Sequence, residues 1–225
     1  MLTKEIKAVL FDKDGTIFDS EQIYCDSWVA SAKAFNVNFT AEMYDPFVGV
    51  RAVECYQRAH KMFGESFPMK DFIKHNRRYI DDKKAAGMPI KKGFITFFEQ
   101  VKSLSLPIGL VTSSAHDAAI LSFTGTDFMD YFTVFITGDL VDVAKPSPDC
   151  YLLAAKKLGI KPENILVFED SSAGVSAATL AGCQTVAIPD YLPVENSLLD
   201  KCAYVVESFE DADFIIDEIR AKTKL

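Results

Sequence analysis

Short runs of apolar, β-branched and aromatic residues alternate with longer stretches of helical periodicity, and this alternation restricts the fold more than any other feature. The runs predict six strands, at residues 6–11, 107–112, 132–137, 164–169, 184–188 and 202–206. The stretches between several of them, such as 148–159 and 172–182, repeat apolar residues with the period of an amphipathic helix. Strands that alternate with helices pair in parallel through right-handed crossovers, so we predict an α/β fold with a Rossmann-like, doubly wound parallel sheet.

One long region interrupts this alternation. Between about residues 20 and 90 no run predicts a strand, and helical patterns occupy 20–35, 51–64 and 69–87. Ligands of open α/β sheets bind at the carboxyl ends of the strands, and an insertion after the first strand leaves from that edge. We therefore expect an α/β core domain of residues 1–18 and 91–225 and a helical cap domain of residues 19–90 that acts as a lid.

Composition and charge limit the partners of this fold. Of the 225 residues 49% are hydrophobic, which is enough for a buried core, and the net charge of −8 disfavours nucleic acid as a partner. No apolar run approaches the roughly 18 residues of a membrane span, and the five cysteines form no C-x-x-C pair. We expect a cytoplasmic protein, most simply a monomer, that needs a local cation or metal to bind an anionic substrate.

The first predicted strand ends in Asp12-Lys13-Asp14-Gly15-Thr16. Two carboxylates two positions apart at the end of a strand can point the same way, and we expect Lys13 to point elsewhere. Gly15 allows the chain to turn sharply. A capped turn would use the same residue types, but the whole pattern favours a site with paired carboxylates.

Two further polar motifs follow other predicted strands. Thr112-Ser113-Ser114 precedes a helical stretch, so its hydroxyl and N–H groups suit a phosphate, although serine and threonine are also ordinary N-caps. Lys145 lies in a loop that Pro146 and Pro148 hold extended. Its ammonium group can neutralise a phosphate or a carboxylate nucleophile.

The fourth predicted strand ends in Glu169-Asp170, which suits a hard divalent cation and equally suits a helix N-cap. Asp19-Ser20-Glu21, between core and insertion, fits capping of the first inserted helix and also a hinge. The carboxyl ends of parallel strands meet at one edge of a sheet, so the motifs of the core converge there. Together they supply what is needed to transfer a phosphoryl group through an aspartyl-phosphate with Mg²⁺.

Four segments give the chain its resemblance to a known family: FDKDGTIFDSE, LVTSS, AKPSPDCYLLAAKKLG and VFEDSSAGVSAATLAG. In order and spacing they resemble the motifs of the haloacid dehalogenase superfamily, specifically of its phosphatases and phosphomutases with a helical cap. The resemblance covers nearly the whole chain. It implies a Rossmann-like core with a four-helix cap inserted after the first motif.

The resemblance also implies roles for individual residues. Asp12 resembles the nucleophile and Asp14 the general acid and base. Thr112 and the backbone N–H of Ser113 would hold the transferring phosphoryl group. Lys145 would neutralise both that group and the nucleophile. The second acid, Asp14, argues against the dehalogenases of the superfamily, which do not need it.

A magnesium site is part of the same resemblance. The ion would be bound by the carboxylates of Asp12 and Asp170 and by the backbone carbonyl of Asp14. Glu169 would lie in or next to the metal shell. Mg²⁺ is therefore the expected cofactor.

Some positions depart from the family pattern. Lys13 and Ala144 stand where relatives usually carry an apolar residue and a glycine. Tyr24 takes the place of a cap histidine of β-phosphoglucomutase-like members. Arg51 resembles their distal-phosphate arginine, with a spacing one residue short. We take Tyr24 and Arg51 as candidate substrate-contacting cap residues that argue against a mutase.

The predicted function is a Mg²⁺-dependent phosphatase for a small phosphorylated metabolite such as a sugar or polyol phosphate. A β-phosphoglucomutase-like hexose-phosphate mutase is the first alternative. A non-catalytic protein that binds a phosphorylated metabolite is a more remote alternative.

Overall fold

The computed structural model describes residues 1–223, and its core is a six-stranded parallel sheet. The strands are β1 (Ala8–Phe11), β2 (Ile108–Val111), β3 (Phe132–Ile136), β4 (Ile165–Glu169), β5 (Gln184–Ala187) and β6 (Tyr204–Val205). Their order across the sheet is β3-β2-β1-β4-β5-β6. Each strand lies within one of the predicted runs, and the α/β fold with a doubly wound parallel sheet is confirmed.

Helices connect these strands and fill the insertion. The α-helices are α1 (Glu21–Ala34), α2 (Ala52–Phe63), α3 (Met69–Ala85), α4 (Phe94–Ser103), α5 (His116–Ser122), α6 (Asp149–Leu158), α7 (Ser172–Leu180), α8 (Asn196–Leu199) and α9 (Asp213–Thr223). Short 3-10 helices lie at Glu42–Phe47, Phe128–Tyr131, Gly138–Leu140, Pro162–Asn164 and Phe209–Asp211.

Strand β1 is the centre of the core because it pairs with β2 on one side and with β4 on the other. Its side chains alternate between the two faces of the sheet. Val9 and Phe11 pack into a cluster with the phenylalanines of α4, whereas Ala8 and Leu10 pack against α6 and α7. All four are fully buried, so both faces of the sheet are covered as a parallel sheet requires.

The insertion between β1 and α4 contains α1, α2, α3 and the 3-10 helix Glu42–Phe47, and no strand occurs among its residues. The expected four-helix cap therefore has three α-helices and one 3-10 helix. Pro46 lies inside the 3-10 helix, where its ring removes a backbone N–H donor that an α-helix would use.

The insertion has a hydrophobic cluster of its own, centred on Trp28. The indole ring lies 4.9 Å from the ring of Phe47, 5.4 Å from that of Phe72 and 5.5 Å from that of Tyr56, measured between centroids. Aromatic rings at these separations attract one another beyond the gain from burying their surface. Helical patterns without strands predicted α1, α2 and α3, whose apolar faces pack on one another and on the 3-10 helix Glu42–Phe47.

Two short backbone segments connect the insertion to the core, and they pair with each other. The N–H of Asp19 donates to the carbonyl of Pro89 at 2.9 Å, and the N–H of Lys91 donates to the carbonyl of Ile17 at 2.9 Å. The first segment follows the carboxyl end of β1, and the second, which is paired with it, leads into α4. The insertion is thus anchored at the edge where the polar motifs converge.

Within residues 1–223 no helix combines the length and the apolar character that crossing a bilayer requires. The five cysteines are free thiols, four of them buried and Cys202 partly exposed.

Replacing Phe72 by alanine tests the aromatic cluster of the insertion. Phe72 is fully buried, so we expect Phe72→Ala to lower the free energy of unfolding by about 3–5 kcal/mol. Trp28 is the single tryptophan, so its fluorescence during urea unfolding reports on this cluster directly. Val53→Ala is the control, because Val53 is 59% exposed and its loss should change stability by less than about 0.5 kcal/mol. Equal losses in both variants would contradict the assigned packing.

Candidate active site

The carboxyl edge of the sheet brings together the residues that follow β1, β2 and β4. Phe11 lies level with Leu110 in β2 and with Phe168 in β4. The residues that follow therefore leave the sheet at the same height. Asp12 emerges between the ends of two neighbouring strands, which is where ligands bind in doubly wound sheets.

Three carboxylates form a buried cluster at this edge. Asp12, Glu169 and Asp170 each place one carboxylate oxygen within 4.8 Å of the others. All three side chains are buried. Like charges at this separation repel strongly in a low-dielectric site, so the cluster requires a positive charge next to it.

Lys145 supplies one such charge. Its ammonium group donates to Asp12 Oδ1 at 2.6 Å, to Glu169 Oε1 at 2.6 Å and to the carbonyl of Val111 at 3.2 Å. The side chain is 5% exposed. The hydroxyl of Tyr151 also donates to Glu169 Oε1. The loop that carries Lys145 thus ties the ends of β1, β2 and β4 together.

The protonation of these groups follows from burial and from the neighbouring charges. Burial raises the pKa of Asp12 to about 7, against the lowering effect of Lys145, and the charge of Glu169 raises it further. Burial and the charges of Asp12 and Glu169 also raise the pKa of Asp170 well above its usual range. For Lys145, burial acts to lower the pKa, but the charges of Asp12 and Glu169 outweigh it and raise the pKa above its usual value. The lysine stays charged, and one ammonium group does not balance three carboxylates.

The cluster has the donors and the space that a divalent cation needs. Glu169 Oε2 is buried and has no hydrogen-bond partner among the described residues. A Cβ atom on Gly174 would lie 1.9 Å from that oxygen, and one on Gly15 would lie 2.2 Å from Asp170 Oδ2. Both glycines therefore leave room beside the carboxylates. A set made only of oxygen donors suits Mg²⁺ or Ca²⁺ better than a softer metal.

Asp14 lies outside this cluster and accepts hydrogen bonds from four side chains. Lys13 Nζ donates to Asp14 Oδ1 at 2.6 Å, and the hydroxyl of Tyr24 donates to the same oxygen at 2.8 Å. The hydroxyl of Ser20 also donates to Oδ1, at 3.0 Å, and that of Ser114 donates to Oδ2 at 3.0 Å. These donors come from both the core and the insertion.

Two expectations about this region were wrong. Lys13 does not point away from the carboxylates, because its fully buried ammonium group turns back to Asp14 and also donates to Ser122 at 3.3 Å. Ser20 does not cap α1 with its side chain, because its hydroxyl binds Asp14 instead. In both cases a buried carboxylate offers a stronger partner than water or a helix end.

The donor set keeps Asp14 ionised. Burial acts to raise its pKa, but the charges of Lys13 and Lys84 and the hydrogen bonds from Lys13 and Tyr24 outweigh it. The pKa of Asp14 is therefore well below its usual range. In this arrangement Asp14 is an ionised carboxylate stabilised by its own donors, whereas the neighbouring Asp12 is held by Lys145.

Comparison with known proteins agrees with this chemistry. A family model described as a haloacid dehalogenase-like hydrolase matches residues 6–182, which include every motif described above. The chain belongs to this family. It is accordingly a hydrolase of the haloacid dehalogenase type, as the sequence motifs implied.

Relatives of the chain include two phosphatases. The phosphorylated carbohydrates phosphatase of Thermotoga maritima is 31% identical over 185 residues, which cover 80% of this chain and 84% of that protein. Hexitol phosphatase A of Escherichia coli is 29% identical over 209 residues, which cover 91% and 92%. Among solved structures, a β-phosphoglucomutase from Clostridium difficile matches with a TM-score of 0.76 at 24% identity and covers 97% of each chain, which shows a common fold.

Thr112 and Ser113 lie at the end of β2, next to the strand that leads to Asp12. Thr112 is buried, and its side-chain oxygen accepts a hydrogen bond from the N–H of Ser114 at 3.1 Å. The hydroxyl hydrogen of Thr112 is not used in that bond. Gly138 packs so closely on this turn that a Cβ atom would lie 2.2 Å from the carbonyl oxygen of Ser113. The turn is thus held between two strands of the haloacid dehalogenase-type core.

The two candidate cap residues of this family member lie in different places. Tyr24 reaches the core and donates to Asp14. Arg51 donates to the backbone carbonyls of Val141 at 2.8 Å and Asp142 at 3.3 Å, in the loop that leads to Lys145. Arg51 therefore contacts the core by binding backbone oxygens, and it forms no hydrogen bond with the acidic cluster.

The sequence motifs missed two buried charged residues of the insertion. Glu21 is 4% exposed, and its carboxyl group accepts a hydrogen bond from the hydroxyl of Tyr44 at 2.9 Å. Lys84 is 3% exposed and donates to the carbonyl of Ala118 in α5 at 2.8 Å. A helical pattern alone shows nothing that separates Lys84 from its solvated neighbours. Glu21 was named only within the motif Asp19-Ser20-Glu21, which was interpreted as helix capping and as a hinge.

Removing Lys145 tests the charge balance of the cluster. Without divalent cations, we expect Lys145→Met to lower the free energy of unfolding by about 3–5 kcal/mol, because buried carboxylates lose their partner. Lys157→Met, at an exposed position of α6, should change stability by less than about 0.5 kcal/mol.

The same variant should depend on pH in a defined direction. Groups with a raised pKa in the folded protein bind protons there, so stability increases as the pH falls through that pKa. Burial raises the pKa of Asp12 to about 7. The loss in free energy of unfolding caused by Lys145→Met should therefore become smaller as the pH is lowered from about 8 to about 6. Urea unfolding at the two pH values measures this. A loss that grows as the pH falls would contradict the assigned charges.

Gly174 tests the space beside Glu169. An alanine in a helix usually stabilises relative to glycine, but here its Cβ atom would overlap Glu169 Oε2. We expect Gly174→Ala to lower the free energy of unfolding by about 1–3 kcal/mol. Ser176→Ala, on the same helix, is the control and should have little effect. A stabilised Gly174→Ala protein would show that the space is not needed.

Proposed function

We propose that the protein is a Mg²⁺-dependent phosphatase that hydrolyses a small phosphorylated sugar or polyol through an aspartyl-phosphate on Asp12. The observation that carries the proposal is the buried contact of Lys145 with both Asp12 and Glu169, at 2.6 Å each, inside the acidic cluster. A nucleophilic carboxylate has to approach an anionic phosphoryl group, and this requires positive charge beside both.

In the first half of the proposed reaction, Asp12 attacks phosphorus and the bond to the leaving-group oxygen breaks. The hydroxyl of Thr112, the N–H of Ser113 and the ammonium group of Lys145 would hold the phosphoryl oxygens. Asp14 would give a proton to the leaving alcohol. To act as this acid, Asp14 has to leave part of its present donor set, because four hydrogen-bond donors stabilise the ionised form.

In the second half, water attacks the phosphorus of the aspartyl-phosphate. Asp14 takes a proton from this water, inorganic phosphate leaves, and Asp12 is regenerated as a carboxylate. The donors keep the pKa of Asp14 well below its usual range, so the group is ionised but a weak base, and it takes up this proton only once part of the donor set has moved away.

Mg²⁺ would be held by Asp12 and Asp170, with the backbone carbonyl of Asp14 and with Glu169 in or next to its shell. When bound, it supplies positive charge for the transferring phosphoryl group and for the crowded carboxylates. Two observations support this assignment. Glu169 Oε2 is buried without a hydrogen-bond partner among the described residues, and Gly15 and Gly174 leave space beside the carboxylates of Asp170 and Glu169.

Residues 19–90 are the proposed cap, which excludes water and selects the leaving group. The names of two relatives, a phosphorylated carbohydrates phosphatase and a hexitol phosphatase, support a sugar or polyol phosphate as the substrate class. The mutase alternative finds less support. Arg51 is occupied with backbone carbonyls of the core, and Tyr24 stands where the mutase-like relatives have a histidine.

Phosphate release from p-nitrophenyl phosphate tests the proposal. We expect activity with Mg²⁺, loss of activity with EDTA, and at least about a thousandfold lower kcat in Asp12→Asn, because the amide is a poor nucleophile. Asp26→Asn, on the exposed side of α1, is the matched control and should keep the activity. Full activity of Asp12→Asn, or activity unaffected by EDTA, would contradict the mechanism.

A further inference from the structure

The carboxyl group of Glu21 is a polar group of the cleft that the proposed mechanism does not use. Glu21 lies in the first turn of α1 and is 4% exposed. The hydroxyl of Tyr44 donates to its Oε2 at 2.9 Å. Within residues 1–223 no other side chain donates a hydrogen bond to this carboxyl group, which leaves acceptor capacity in a buried position.

Glu21 lies beside the residues of the insertion that reach the reaction centre. Ser20 directly precedes it, Tyr24 follows it by three positions in α1, and both hydroxyl groups donate to Asp14 Oδ1. Burial and then the negative charges of Asp14, Asp12 and Asp190 raise the pKa of Glu21 to about 8, so its carboxyl group is mostly protonated at neutral pH and can both donate and accept hydrogen bonds. Helix α1 starts two residues after the bond between Asp19 and Pro89, so Glu21 lies where the insertion meets the carboxyl edge of the sheet.

The other long polar side chains that the insertion sends toward the core already have partners there. Tyr24 donates to Asp14, Lys84 donates to the carbonyl of Ala118, and Arg51 donates to the carbonyl of Val141. These three contacts use donors of the insertion. Glu21 differs from them because one of its two carboxyl oxygens has no hydrogen-bond partner among the side chains of residues 1–223.

Tyr44 holds this carboxyl group in place. Its own side chain is 4% exposed, stacks on Phe47 with a centroid distance of 6.2 Å and packs edge-on against Tyr191 of the core. A carboxyl group oriented by a rigid, buried phenol is pre-organised to bind a hydroxyl group, because little rotamer freedom is lost when that group arrives.

We propose that Glu21 is a specificity-determining residue whose second carboxyl oxygen forms a hydrogen bond with a hydroxyl group of the substrate's leaving alcohol, with Tyr44 as its positioning residue. This inference rests on the phosphatase activity proposed above and specifies the substrate class: phosphate esters of alcohols that carry further hydroxyl groups. A leaving group without hydroxyls would bury the Glu21 oxygen without a partner, and a site built to bind a hydroxyl group discriminates strongly against such a ligand.

The test compares kcat/KM for a hexitol 6-phosphate with kcat/KM for p-nitrophenyl phosphate, whose leaving group has no further hydroxyl. We expect Glu21→Leu to lower the ratio of the two values at least about tenfold. Glu21→Gln keeps an acceptor oxygen, so we expect a smaller decrease. Tyr44→Phe should lower the ratio in the same direction because it releases Glu21. If Glu21→Leu does not fold, the Glu21→Gln and Tyr44→Phe variants still test the proposal.

Gln22→Leu is the matched control, since Gln22 is the exposed neighbour of Glu21 in the same turn, and it should leave the ratio unchanged. An unchanged ratio in the Glu21 and Tyr44 variants, while the unaltered protein hydrolyses both compounds, would overturn the role of Glu21 and leave the proposed function standing. Absence of phosphate release from both compounds by the unaltered protein would overturn the proposed function and, with it, this inference.

Discussion

The ammonium group of Lys145, buried between Asp12 and Glu169, is the contact on which the rest of the site depends. It allows carboxylates from β1 and β4 to lie together in a dry environment, where their mutual repulsion would otherwise protonate them or push them apart. It also binds the carbonyl of Val111 at the end of β2, so one side chain joins three neighbouring strands. The ammonium group of Lys145 therefore both helps to neutralise the carboxylates and fixes the geometry of the sheet edge.

The sequence predicted the core well because its signals are local and repeated. Each strand is a short apolar run, and the parallel order follows from the helices between the strands. In a parallel sheet the residues at the carboxyl ends of the strands lie at one edge. The closeness of Asp12, Thr112 and Glu169 can therefore be predicted from the strand arrangement alone, without knowing any long-range contact. The insertion was harder to predict in detail, since the segment with Pro46 is a 3-10 helix where a fourth α-helix was expected.

The residues around Asp14 show what sequence patterns do not reveal. The sequence predicted that Lys13 points away from the carboxylates, that Ser20 belongs to a capping or hinge motif and that Tyr24 contacts the substrate. In the structure all three donate to one carboxylate, that of Asp14. Their roles depend on how the insertion folds back over β1, which periodicity does not specify. Glu21 was interpreted only within a capping or hinge motif for the same reason. Residues at the junction of two folding units acquire their partners only when both units are in place.

Trapping the covalent intermediate tests the central claim most directly. A reaction mixture with Mg²⁺ and p-nitrophenyl phosphate is quenched in acid during turnover and treated with borohydride, which reduces an acyl phosphate to an alcohol. The account predicts that peptide mass spectrometry finds homoserine at position 12. Phosphate release in the same sample, with Asp12 intact or with the reduced residue at Asp14 or Asp170, would contradict it.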